Sequence, residues 1–182
     1  DFNTAIGYQA LTAQTGHTGE VGNTAVGYKA GAGVVTGVRN TFIGLESGLV
    51  ASASSADDNV GLGAVALKAL TSGSNNTALG TWASQQMVNA SNTVAIGYYT
   101  LANAQTSTDI DGCVAIGALS QAENKTGKGN VSVGLSALQS DVNGDYSTAI
   151  GHEALKVQNG ITGTVGNTAV GYGTAKLLTT GI

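Results

Sequence analysis

The chain has 182 residues, a formal net charge of −4, only 10% charged side chains, 28 glycines and no proline. A mildly acidic chain without a basic patch argues against nucleic acid as a partner. No apolar run approaches the ~20 residues that a membrane-spanning helix needs.

The first element, "NTAIGYQAL" at 3–11, returns as "NTAVGYKAG" at 23–31 and as "NTAVGYGTA" at 167–175. With the glycine of this phrase as position zero, the repeat falls at Gly7, Gly27, Gly44, Gly63, Gly80, Gly97, Gly117, Gly134, Gly151 and Gly171, at spacings of 20, 17, 19, 17, 17, 20, 17, 17 and 20. A fixed period of this size marks a repeat architecture. The repeat spans residues 1–182 as a single domain, and the chain starts and stops inside it, as expected of a segment from a longer fibre.

Each column has a narrow chemistry. The residue before the glycine is aliphatic: Ile6, Val26, Ile43, Leu62, Leu79, Ile96, Ile116, Val133, Ile150 and Val170. Three before it stands Thr or Val, and between the two a small residue, except at Phe42. Four before it stands Asn in seven copies: Asn3, Asn23, Asn40, Asn59, Asn76, Asn130 and Asn167. Three after it the residue is small again. β-Branched residues alternating with Ala and Gly predict a short strand before each glycine, with Thr/Val and Ile on one face and Asn, Ala and Gly on the other. The glycine lets a neighbouring backbone come close. A second, weaker strand is predicted three to eight residues after it ("ALKALT", "ASQQMV", "ALQSDV"). A turn follows, with Gly37, Gly73, Gly127, Gly144 and Gly181 at positions suited to φ > 0. The extra residues of longer units fall in the turn before the next strand, where 16–23 and 160–167 share the frame G-x-T-G-x-V-G-N. Helices in Ala-rich pieces are disfavoured by the recurring Gly and Thr.

A 17-residue unit with two short strands is one coil of a β-solenoid, so about ten coils stack at the inter-strand spacing of roughly 4.8 Å. Identical columns become ladders, and stacked asparagines hydrogen-bond copy to copy. The core of one such coil is thin. Ten aliphatic side chains supply about 20 kcal/mol, against a chain-ordering cost on the order of 200 kcal/mol. One ladder is therefore expected to pack against other chains, and the Thr/Val–Ile stripe is the favoured face.

No constellation carries chemistry. His17 and His152 do not recur as a ladder. "DIDG" (109–112) and "DVNGD" (141–145) place carboxylates at alternating positions, loosely like a calcium loop, but lack the bidentate Glu of an EF-hand; turn chemistry is the simpler reading, as for Asp57 and Asp58. No G-x-S-x-G elbow occurs, and "GAGVVTG" (31–37) lacks the Lys and helix of a phosphate loop. Glu46 and Glu153 share a column but lie far apart, which argues against a polysaccharide-cleaving spike. Neither a catalytic residue nor a metal or cofactor site is expected. Cys113 replaces the Asn of its column, reads as a small buried thiol and has no partner for an internal disulfide. Tyr8, Tyr28, Tyr98 and Tyr172 share the column after the glycine, and Trp82 and Tyr99 the next. These rings either cover the seam between coils or stack on sugars.

"NTVAIG" at 92–97 and "CVAIG" at 113–117 closely resemble the head repeat of YadA-type trimeric adhesins, and "NTAIGYQAL" resembles repeats of phage tail fibres. The resemblance covers all ten units. It implies an all-β, left-handed parallel β-roll wound as an intertwined homotrimer, extracellular at a cell surface or on a virion tail. The units are longer than those of the adhesin heads, which favours a fibre. The expected function is a structural, adhesive fibre segment that spaces and presents a host- or surface-binding region. Its partners are then its own copies and a cell-surface or glycan receptor, with the variable turns 12–22, 49–58, 103–112 and 156–166 as contact candidates. The alternatives are the head of a bacterial trimeric autotransporter adhesin and, further off, an ice-binding solenoid, for which six of the ten column positions carry Thr.

Overall fold

A computed structural model describes residues 2–15, 19–50, 54–104, 110–158 and 163–178. His17, Asp109 and Gly181, named above, lie outside the described residues. Among those residues there is no helix. The strands in chain order are β1 (Thr4–Ile6), β2 (Thr24–Val26), β3 (Thr41–Ile43), β4 (Val60–Leu62), β5 (Thr77–Leu79), β6 (Val94–Ile96), β7 (Val114–Ile116), β8 (Val131–Val133), β9 (Gly144–Asp145), β10 (Thr148–Ile150), β11 (Val157–Gln158), β12 (Gly163–Thr164), β13 (Thr168–Val170) and β14 (Leu177–Leu178).

The ten three-residue strands form one sheet in the order β1-β2-β3-β4-β5-β6-β7-β8-β10-β13. Every pairing is parallel and in register with the repeat: Thr4 faces Thr24, Ala78 faces Ala95, and Ile150 faces Val170. The molecule is a parallel β-solenoid, and each column of the repeat is a physical ladder. Each strand ends at its repeat glycine, whose φ lies between 124° and 138° in all ten copies. A side chain there would also strike the next coil. A Cβ on Gly80 would sit 2.5 Å from the carbonyl oxygen of Gly97.

The centre of each three-residue strand points inward. Ala25, Ala78, Ala95, Ala115 and Ala149 are fully buried. Phe42 breaks the column yet is also buried. Room for its ring comes from three glycines: a Cβ on Gly48 would lie 2.5 Å from Phe42 Cδ1, and Cβ atoms on Gly31 and Gly61 would lie 3.2 and 3.1 Å from the ring. In other copies the column of Gly31 and Gly48 holds Leu67, Leu101, Leu138 and Leu155, all buried. At this level of the interior the large group of a layer therefore comes from either wall.

The return side differs from expectation. The segment three to eight residues after the glycine is a strand only at β11 and β14, which pair with each other; in the other copies it is a run of turns. Non-glycine residues two and four after the repeat glycine adopt φ near +50°, as at Lys29, Leu67, Trp82, Ser84, Tyr99 and Leu101. Alternating handedness keeps the chain narrow and still lets its amides bond between coils. Lys29 N donates to Tyr8 O of the preceding coil (2.8 Å), and Gly31 N to Ser47 O of the following one (2.8 Å).

The turn glycines also act differently from the reading above. Gly37, Gly73, Gly127 and Gly144 do not have positive φ. They are needed because a Cβ would collide with the next coil: with the carbonyl oxygens of Ala56, Ala90 and Gly144 at the first three, and with the Gln158 amide at Gly144. Close approach, not handedness, selects glycine here.

Two glycine substitutions separate these effects. Gly112→Ala meets only the left-handed penalty, since φ is 72° and no atom lies within 4 Å; about 1–2 kcal/mol is expected. Gly80→Ala adds overlap with the Gly97 backbone, and a loss above about 3 kcal/mol is expected in urea unfolding. Equal losses would contradict the close-approach assignment.

Candidate functional site

Alternation along each strand sends its first and third residues outward. The outward aliphatic column stays wet: Ile6 is 60% exposed, Leu62 45% and Val170 63%, while Ile96 and Ile116 are half-buried by their neighbours. Beside it runs the Thr/Val column, half-buried or exposed throughout. The result is a continuous, uncharged two-column face ten strands long.

The asparagine column lies on the inner side and closes the turns. Asn23, Asn40, Asn59, Asn76 and Asn130 are buried. The Oδ1 of Asn23, Asn40 and Asn59 accepts from the backbone N–H of the next asparagine at 2.8, 3.0 and 2.9 Å. The same oxygens accept from the next side-chain amide at 3.2, 3.0 and 3.0 Å. Each Nδ2 also donates to a turn carbonyl: Asn23 to Gly37 (2.8 Å), Asn59 to Gly73 (3.0 Å), Asn130 to Gly144 (2.6 Å). At the ends, Asn3 accepts from Asn23 N (2.8 Å) and Asn167 donates to Gln158 (3.0 Å). One short amide thus satisfies a backbone donor and a backbone acceptor that have no other partner inside a narrow coil. Where the column holds Cys113, its thiol faces Gly127 O at 3.2 Å and Asn124 takes over the amide bond to that carbonyl at 2.7 Å. Burial pushes the Cys113 thiol up to about 12, so it is inert as a nucleophile.

Asn124 belongs to an inner column that sequence reading missed. Seven residues after the repeat glycine, Val34, Leu70 and Met87 give way to Asn124, Asp141 and Gln158, all buried. Asp141 Oδ1 accepts from Gly144 N (3.0 Å), and Gln158 Nε2 donates to Oδ2 (3.3 Å). Burial pushes the Asp141 carboxyl up to about 6, with nearby Asp145 adding to the shift. Asp145 accepts from Lys128 N of the preceding coil at 3.0 Å, so both carboxylates of "DVNGD" are engaged by backbone amides, one within its own turn and one between coils. The apolar core is interrupted at Asn124 and its buried neighbours Ser120, Gln121 and Ser132, which lie between one cluster from Leu11 to Ala115 and another from Ala137 to Ala169. The change of column chemistry was the available signal.

The other charged candidates are spread along the surface. Asp57 accepts from Val38 N (2.8 Å), and Asp58 forms a two-pronged pair with Arg39 (2.6 and 2.7 Å) that holds its carboxyl below the usual range. Glu46 pairs with Lys68 at 2.8 Å. Glu153 sits between Lys156 and Lys176 (2.6 Å each), whose ammonium groups hold it down to about 2. His152 packs edge-on against Tyr172 at 5.3 Å. Among the described residues, no three His, Cys, Asp or Glu side chains converge as a metal site, and no helix is long and apolar enough to cross a membrane.

The aromatic columns split into pairs and one cluster. Tyr8 stacks on Tyr28 with centroids 5.4 Å apart. Trp82 lies 5.4 Å from Tyr98 and 6.1 Å from Tyr99, edge-on to the latter. Comparison of the chain with protein-family models, curated proteins and solved structures finds no match.

The buried Asp141 sets a pH dependence. Its folded value, about 6, lies above the ordinary aspartate value of 3.8. Its contribution is therefore neutral below pH 4, becomes destabilising as pH rises from 4 to 6, and is constant above. The full effect is about 3 kcal/mol. Wild-type protein is expected to melt higher at pH 5 than at pH 7, and Asp141→Asn to lose most of that difference. An unchanged pH profile in the variant would show that another group is responsible.

Proposed function

We propose that the chain is a rigid segment of a homotrimeric fibre of left-handed β-rolls, outside the cell or on a virion, that spaces and presents a receptor-binding region. The observation that carries this reading is the uncovered Thr/Val–Ile face. A soluble chain seldom leaves so long an apolar stripe in water, and interfaces between permanent partners have this uncharged, core-like composition. The small interior supports the same view, because alanines at the strand centres leave little apolar surface to bury within one coil. A cyclic trimer lets each ladder meet its own copies about one axis, with all chains pointing the same way, as a fibre with a distinct tip requires.

The charge-poor repeats fit a spacer. Ten near-equal layers, each resting on its neighbours, share load along the axis, and stability accrues layer by layer. The chemistry that recurs in every layer is spent on holding the next layer.

Light scattering during size-exclusion chromatography tests the assembly. Three times the 17.9 kDa chain mass is expected, and a folded monomer would overturn it. Ile96→Asp places an ion in the proposed contact, at a cost of several kcal/mol per chain, and is expected to yield monomer. Ala95→Leu overfills the coil instead and is expected to lower the melting temperature. If Ile96→Asp leaves the mass unchanged, the aliphatic face is not the contact.

A further inference from the structure

The repeat explains most side chains, but one surface group stands outside it. Trp82, Tyr98 and Tyr99 meet on two successive coils, with Tyr98 and Tyr99 centroids 6.1 Å apart. Trp82 is the only tryptophan of the chain. It is 38% exposed, and Tyr98 is 49% exposed. Next to the rings lies a polar pair that no other copy carries. The hydroxyl of Tyr99 donates to Asn103 Oδ1 (3.2 Å), and Asn103 Nδ2 donates to Glu123 Oε1 (2.8 Å). Asn103 and Glu123 occupy the same column, six residues past their repeat glycines. In the other coils that column holds Ala13, Gly33, Val50, Ala69, Val157 and Leu177, with further polar side chains at Gln86 and Ser140. Among the described residues the Trp82 indole N–H and the Tyr98 hydroxyl have no protein partner.

We propose that this cluster is a saccharide-binding site for neutral hexopyranose polymers. A sugar ring offers an apolar face of C–H groups and a rim of hydroxyls. It is therefore recognised by an exposed aromatic ring with a carboxylate and an amide at its edge. Trp82 and Tyr98 supply the platform. Glu123 Oε2 accepts from a sugar hydroxyl while Oε1 keeps Asn103 in place. The indole N–H and the Tyr98 hydroxyl donate to ring or hydroxyl oxygens. The tethering of Tyr99 through Asn103 to Glu123 fixes the site before a ligand arrives, which reduces the entropy lost on binding. A carboxylate at the rim of a chain with net charge −4 disfavours uronic, sulfated or sialylated sugars. The site gives a chain otherwise devoted to spacing a direct, low-affinity hold on a coated surface. Repetition of the chain about a fibre axis would multiply that hold by avidity.

The inference does not need the trimer, because oligomeric state and sugar binding are read by different methods. The purified chain is titrated with dextran, mannan and galactan, with heparin as the anionic probe, while the emission of Trp82 is followed. Mobility in gels containing the same polymers is measured in parallel. At least one neutral polymer is expected to shift the emission and retard the protein, with heparin inert. Trp82→Ala and Glu123→Ala, each checked for an unchanged melting temperature, are expected to weaken retardation at least tenfold. If Trp82→Ala melts lower, Tyr98→Ala and Glu123→Ala decide. Silence with all three neutral polymers, binding of heparin alone, or undiminished retardation of the folded variants would overturn the proposal.

Discussion

Most backbone amides in this molecule find their acceptor in the next coil or the previous one, and bonds within a coil close the tight turns after the repeat glycine, as Ala30 N to Gly27 O and Leu70 N to Leu67 O do. That constraint fixes the spacing of the layers and, through it, which residues are tolerated. At the repeat glycine the approach is so close that any side chain would overlap the following carbonyl. At the turn, the asparagine column turns the same closeness to use by bridging one layer's carbonyl and the next layer's amide. A helix satisfies its own backbone groups; a thin coil cannot, so its stability is a property of the stack.

The thinness has a second consequence. With alanine at the strand centres, the coil encloses few large side chains per layer, and Phe42 is accommodated because Gly31, Gly48 and Gly61 withdraw around it. Apolar groups that the interior cannot hold are displayed on the outer face. The same economy leaves little room for polar chemistry inside. Where the inner column changes to Asn124, beside buried Ser120, Gln121 and Ser132, the core is divided in two, and Asp141 further along introduces a carboxyl that burial keeps partly protonated near neutrality.

Much of this was legible in the residues. Period, strand position and register follow from the Thr/Val-x-Ile-Gly phrase, because β-branched alternation and an obligatory glycine have few other physical readings. The return side was not legible as built. Leu67, Leu101 and Leu138 look like strand residues, but their φ near +50° is imposed by inter-coil bonding rather than by local preference. The turn glycines misled for a related reason, since glycine signals both positive φ and close approach, and the sequence alone does not distinguish them. The aromatic cluster was visible as two columns, but its joining to Asn103 and Glu123 needed the stacking of two coils. Asp141 read as a turn residue because its neighbours Asn143 and Gly144 are turn residues; its burial depends on the coil that follows.

Native-state hydrogen exchange tests the dependence on the asparagine column most directly. The amides of Asn40, Asn59, Asn76 and Thr93 donate to buried asparagine side chains one layer away. If these bonds bind layer to layer, the four amides exchange among the slowest in the chain and become labile together, in one cooperative opening. Exchange of the four at separate rates, or as fast as the amides of the exposed residues 19–20, would contradict a fold held together through that column.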